Sequence, residues 1–132
     1  MIESPANGDR MALGPPAFHI EDDLSPGATA IFSVRGELDL HEAPELQDRV
    51  RAAIDRGAKL IVVDLTDVTF IDSMALGVLL ATARKLHPAG GRLRLVVPNP
   101  SIRRIFEISL LDQVFTLDRS RGEALAEGEG PG

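Results

Sequence analysis

Asp72 and Ser73, adjacent at the head of an apolar stretch, are the residues of this chain best placed to do chemistry. A serine beside a carboxylate, with His41 or His87 elsewhere, supplies the residue types of a nucleophile, a base and an orienting group. The strand-to-helix elbow that activates such a serine needs Gly-x-Ser-x-Gly, whereas Ile71 and Ala75 stand two residues either side of Ser73. No Gly-rich phosphate loop occurs, and Gly90-Gly91 reads as a helix-to-strand turn. His19, His41 and His87 are isolated, without the i, i+4 spacing of a metal pair, and there is no Cys to act as nucleophile or thiolate ligand. The reading is therefore not an enzyme, with no catalytic residue, no metal and no cofactor.

A hydroxyl at a helix start has two other uses. Ser73 can cap the helix by accepting a backbone N–H, which is worth about 1 kcal/mol. Asp72 can do the same, and Ser73 then sits at the first helical position with its hydroxyl free. A phosphate on it would add about −1.5 to −2 charges at pH 7. The helix N-terminus would stabilise that charge within the chain, while an apolar partner would be repelled. Capping and switching both remain open on the bare chemistry.

The elements that must position this pair are legible on either side of it. Leu60 to Val63, within a third strand over 59–65, is an unbroken apolar run that suggests a sheet interior covered on both faces. Thr66-Asp67 reads as a turn, and Asp72-Ser73 then opens a helix reaching about His87. Leu76, Leu79, Leu80 and Ala83 make its core-facing stripe at i, i+3, i+4, i+7 spacing. The other side carries Ser73, Met74, Gly77, Val78 and Ala81, uncharged until Arg84 and Lys85. A solvated helix face is normally charged, so this one reads as a contact surface.

Before it, Phe18-His19-Ile20 begins one strand, Ser25-Pro26-Gly27 turns, and 28–36 makes a second; His19 points to the solvated side. Leu46, Val50, Ala53 and Ile54 follow helical spacing, with Pro44 in the first turn, Gly57 as the stop, and Glu45, Asp48, Arg49, Arg51 and Asp55 on a charged outer face. After it come a fourth strand over 92–97 and a third helix, with Asn99 as N-cap and Pro100 at the first position. Ile102, Ile105, Phe106 and Leu110 form that helix's buried face; a strand over 114–117 and a short helix over 122–126 follow. Right-handed crossovers then predict one small α/β domain with a mixed sheet, a parallel centre and helices packed against it.

Composition agrees. The 132 residues are 44% hydrophobic but only 4% aromatic, so the core must be largely aliphatic. The net charge of −6 argues against binding the phosphate backbone of nucleic acid and against adsorption to anionic membrane. No apolar run reaches the length of a membrane span, and the prediction is a soluble cytoplasmic protein. Residues 1–16, rich in Pro and Gly, read as a disordered leader containing the small patch Arg10-Met11-Ala12-Leu13; the domain is 17–126 and a tail covers 127–132.

Several motifs together resemble the STAS family, most closely its bacterial anti-sigma factor antagonists: Gly36-Glu37-Leu38-Asp39, Val62-Val63-Asp64-Leu65, Phe70-Ile71-Asp72-Ser73, Ala75-Leu76-Gly77-Val78-Leu79 and Ile102-Arg103-Arg104-Ile105-Phe106-Glu107. The resemblance spans about 18–125. It implies a partner-switching regulator that binds an anti-sigma factor, a serine kinase carrying its own Mg-ATP, so that a sigma factor is released for transcription. That kinase would phosphorylate the motif serine, here Ser73, and end the complex; a serine phosphatase would reverse the modification. The docking surface implied comprises Asp72, Ser73, Met74, Gly77 and Val78, with Glu37, Asp39 and His41 nearby. Met74 and Ala75 stand where many relatives have a second hydroxyl and a glycine, Glu42 where a capping Thr is common, and Leu110 where Gly often closes the third helix. The alternative functions are a STAS scaffold or sensor-complex module that works without phosphorylation, and a small-molecule-binding regulatory domain using acidic residues near Asp39.

Overall fold

Residues 18–24 and 28–128 are described by the structure, a computed structural model. The strands are β1 (His19–Leu24), β2 (Thr29–Leu38), β3 (Leu60–Ile71), β4 (Arg92–Val96) and β5 (Thr116–Asp118). The helices are α1 (Ala43–Asp55), α2 (Ser73–Leu86), α3 (Pro100–Ile108) and α4 (Arg121–Gly128). The sheet order is β1-β2-β3-β4-β5, with β1 antiparallel to β2 and every other pair parallel, the mixed sheet with a parallel centre that the alternation of elements predicts. The leader 1–16 and the Ser25-Pro26-Gly27 turn lie outside the described residues, as does the tail beyond α4.

Because successive side chains on a strand point to opposite faces, the apolar run of β3 feeds two cores. Ile61, Val63 and Leu65 join Phe32, Leu46, Val50, Leu79, Ile102 and Phe106 in the larger one, under α1, α2 and α3. Leu60 and Val62 face the other way, with Ile31 and Val96, and are covered by Ala124 of α4. The core is mainly aliphatic, yet Phe32 and Phe106 are its largest fully buried side chains, and Phe106 meets Phe115 edge-on at 5.8 Å. Arg49 pins β1 to α1, donating to Asp22 Oδ1 at 2.6 Å, to the Ile20 carbonyl at 3.2 Å and to Glu45 Oε2 at 2.8 Å.

The turn expected at Thr66-Asp67 does not form, and β3 runs through it to Ile71. Turn chemistry is nonetheless present, since Asp64 Oδ1 accepts both the amide and the hydroxyl of Thr66. Its product is a bulge: Ser33 pairs with Asp64 but Arg35 with Asp67, and a second slip separates Gly36–Val68 from Glu37–Phe70. Gly36, at φ 93°, takes up the left-handed backbone that this irregularity requires. Parallel pairing to β2 on the far side of the bulge keeps the chain extended.

Three other expectations shift. The core stripe of α2 is Ala75, Leu76, Leu79, Thr82 and Leu86, with Leu80 and Ala83 only half-buried on its flank. Leu110 does not lie on the buried face of α3; the helix ends at Ile108, and Leu110 follows it at φ 61°, with 62% of its surface exposed. Val114 is likewise exposed and precedes the last strand, which begins at Thr116. Asn99 caps α3 as expected, accepting the Ser101 amide at 2.9 Å with Pro100 behind it.

A candidate docking site around Ser73

Both β2 and β3 end at the same edge of the sheet, where Glu37 pairs with Phe70 and Leu38 with Ile71. The loops leaving those strands are therefore neighbours. One leads through Asp39, Leu40 and His41 into α1; the other is the single residue Asp72 before α2.

Asp72 holds the two together. It adopts an extended backbone at the N-cap of α2, and its Oδ1 accepts the Ala75 amide at 2.9 Å. Its Oδ2 accepts the Leu40 amide at 2.9 Å, across from the other loop. Asp39 has the matching role in the loop before α1, where Glu42 occupies the N-cap position without a side-chain cap. The Asp39 carboxylate instead accepts the amides of His41 and Glu42, at 3.0 and 3.2 Å. The Asp39 carboxylate is thus engaged in holding the loop.

With Asp72 as the cap, Ser73 stands at the first helical position and is exposed. The amides of Ser73 and Met74 have no intrahelical acceptor, as at any helix start. Met74 is 55% exposed and Gly77 is exposed, while Val78 is half-buried against the larger core. Glu37 and His41 are exposed and Asp39 is half-buried. Glu37, Asp39, His41, Asp72, Ser73 and Met74 thus lie at this edge, and Gly77 and Val78 follow one turn along α2.

Two residues that sequence reasoning missed complete the surface. Leu40 is 52% exposed in the loop that Asp72 anchors, and Phe70 is 46% exposed at the end of β3. The signal for Leu40 was an apolar residue inside a polar Asp-x-His-Glu turn. Phe70 gave none, because an aromatic near the end of a strand usually reads as core. Leu40, Phe70 and Met74 are exposed apolar side chains on the segments that meet at Asp72, Met74 next to Ser73 in α2 and Leu40 in the loop that Asp72 anchors.

The arrangement gives no support to hydrolytic chemistry. Both oxygens of Asp72 accept backbone amides, and neither His41 nor His87 bonds to it. His87 follows the far end of the 14-residue α2, about 21 Å from Ser73 at 1.5 Å per residue. Among the described residues no group of His, Asp or Glu could hold a metal ion. No helix among them is long and apolar enough to cross a membrane.

Comparison with known proteins gives the same family as the motifs. The STAS domain family model matches residues 19–124. An anti-sigma F factor antagonist of Lysinibacillus sphaericus is 29% identical over 92 residues, 69% of this chain and 79% of the relative. The crystal structure of an anti-sigma factor antagonist from Mycobacterium paratuberculosis superposes with a TM-score of 0.78 at 28% identity, covering 86% of this chain and 96% of that one. The Bacillus cell fate determinant SpoIIAA, solved in its phosphorylated form, superposes with a TM-score of 0.65 at 28% identity, over 84% of this chain and 98% of that one.

Proposed function

The chain belongs to the STAS domain family, and we propose that it is an anti-sigma factor antagonist whose binding surface is switched by a phosphate on Ser73. The partner is an anti-sigma factor that is also a serine kinase and brings its own ATP; a serine phosphatase restores the binding form. The protein itself is not an enzyme, carries no cofactor, binds neither nucleic acid nor membrane, and works in the cytoplasm.

One observation carries this reading: Ser73 is exposed at the head of a helix already capped by Asp72, with exposed Met74 beside it and exposed Leu40 and Phe70 on the segments that lead to Asp72. A capping role is filled, and apolar surface at a loop junction is what a protein partner buries. A phosphate at Ser73 would put about two negative charges into that surface and bring them beside Asp72 and Asp39. Those charges oppose burial against an apolar partner, so binding and modification exclude each other. That two similar proteins are named anti-sigma factor antagonists, and a third was solved phosphorylated, supports the same reading. Moving a population from 1:99 to 99:1 takes about 5.5 kcal/mol of differential affinity. A single carboxylate in Ser73→Asp carries about half the charge of the phosphate and should reverse binding only partly.

Met74 favours a second reading. With Met74 rather than a second hydroxyl after the motif serine, a kinase that needs both would leave this chain unmodified, and the domain would act as a constitutive scaffold. Incubation with the cognate anti-sigma kinase and Mg-ATP, followed by intact-mass measurement, separates the two. A single added phosphate, absent in Ser73→Ala, supports the switch; no added phosphate in a reaction active on a known substrate supports the scaffold.

A further inference from the structure

A cleft of about 110 Å³ separates α1 from α2, away from the sheet edge that carries Ser73. It is lined by the buried Val50 and Thr82, the half-buried Ile54 and the exposed Ala81, with the exposed Arg51 and Lys85 contributed by the two helices. The volume is of the order of the ~150 Å³ that accepts a benzene ring. Thr82 brings little polarity, because its hydroxyl donates back to the Val78 carbonyl at 2.9 Å.

Three features of this cleft and of the α2 face that leads to it are not explained by folding. First, Arg51 and Lys85 are exposed and have no carboxylate within ion-pair distance among the described residues, although the chain carries a net charge of −6. No carboxylate lines the cleft either. Second, Ala81 is exposed on the outer face of α2, which remains uncharged from Ser73 to Ala83. Third, Gly77 lies one turn before Ala81 inside the helix, and a Cβ built there meets nothing within 4 Å. An interior helical glycine costs about 1 kcal/mol relative to alanine, and no internal contact here requires one. Ser73, Gly77, Ala81 and Lys85 recur every four residues and so make one continuous ridge of small side chains ending in a cation.

We propose that the α1–α2 cleft is a second docking surface, and that its occupant is an acidic helical segment of a partner protein that drops one aliphatic side chain between Arg51 and Lys85. The small ridge lets another helix come close, the cleft takes the anchor, and the two cations meet carboxylates on either side of it. Two cations on an acidic chain are too few to hold a nucleic-acid backbone or an anionic bilayer. The ridge begins at Ser73 and so adjoins the surface proposed there, whereas the cleft lined by Arg51, Ala81 and Lys85 lies about two turns further along α2.

The test is an NMR titration of the full chain with an amphipathic peptide of about 15 residues, long enough for helical turns, with Glu and Leu at helical spacing. Its Lys-for-Glu counterpart and phosphatidylglycerol vesicles run in parallel. Expected are amide shifts confined to Gln47, Arg51, Ile54, Ala81 and Lys85, lost at high salt and absent with the Lys peptide. The double variant Arg51→Glu, Lys85→Glu, both at exposed sites, should weaken the acidic peptide about tenfold. Ala81→Trp, which fills the cleft mouth, should abolish the shifts while leaving the urea midpoint within error. The proposal is overturned by equal binding of the Lys peptide, by shifts centred elsewhere, by an unchanged affinity in the double variant, or by vesicle binding in place of the acidic peptide.

Discussion

The Asp72 carboxylate accepts the Leu40 amide at 2.9 Å across 32 residues of sequence. The same carboxylate caps α2 through the Ala75 amide. One side chain therefore ties the start of the helix, where Ser73 and Met74 stand, to the loop that carries Leu40.

Asp72→Ala should lower stability by about 1–2 kcal/mol, the loss of an N-cap plus one loop bond. Asp72→Asn can keep only one of the two acceptors, so amide exchange at Leu40 or Ala75 should accelerate. Ser73→Ala, at a hydroxyl that is not the cap, should stay within about 0.5 kcal/mol of the parent. Urea denaturation and hydrogen exchange read these effects. A Ser73→Ala loss as large as that of Asp72→Ala would mean that Ser73 is the structural residue of the pair.

Gly77→Ala should stabilise the fold by about 0.5–1 kcal/mol, because the new methyl meets nothing and the helix loses its most flexible residue. If the ridge is a contact face, the same change should weaken the anti-sigma partner. Thermal melts and a binding titration on one variant measure both directions, and a gain in stability with undiminished binding would leave the glycine without a docking role.

Leu110→Gly should also stabilise. Leu110 holds a left-handed backbone at φ 61° just past α3, donating its amide to the Glu107 carbonyl at 3.1 Å. A non-glycine residue there costs about 1–2 kcal/mol, and its exposed side chain returns little by burial. After the entropy cost of glycine the net gain should be about 0.5–1 kcal/mol, or roughly 4 °C per kcal/mol in Tm. A lower Tm would show that the Leu110 side chain contributes contacts outweighing the strain.

Asp64 sets an acid limit. Burial pushes its carboxyl up, but the hydrogen bond from Arg121, those from the Thr66 hydroxyl and amide, and the guanidinium charge together hold it below the usual carboxylate value. A carboxyl depressed in the folded state binds its proton more readily when unfolded. Its stabilisation is therefore present above the unfolded value of about 3.9 and is lost as pH falls through the lower folded value. On acidification below about pH 5, urea midpoints should fall more steeply in the parent than in Asp64→Asn. Because Arg121 opens α4, that helix should show the earliest exchange on acidification. Parallel profiles for the two proteins would remove Asp64 from the acid transition.

Periodicity, with turn and cap residue types and the right-handed crossover rule, specified the order of elements, the mixed sheet and the helix opened by Asp72-Ser73, because burial selects the strand and helix repeats directly from residue types. The uncharged face of α2 was readable for the same reason: a missing charge is visible in one dimension. Residue types also supplied both candidates for the cap, but could not choose between them, since Asp and Ser cap equally well. Only the folded chain decided that Asp72 takes the role, because its second oxygen is claimed by Leu40 from a different loop. Parallel pairing with β2 likewise turned the Thr66-Asp67 turn chemistry into a bulge, and the left-handed step at Leu110 carried a core-spaced leucine out to solvent. The Leu40–Phe70–Met74 surface and the cleft between α1 and α2 belong to that second class. Each is assembled from segments far apart in sequence, and no local pattern records which loops the sheet brings side by side.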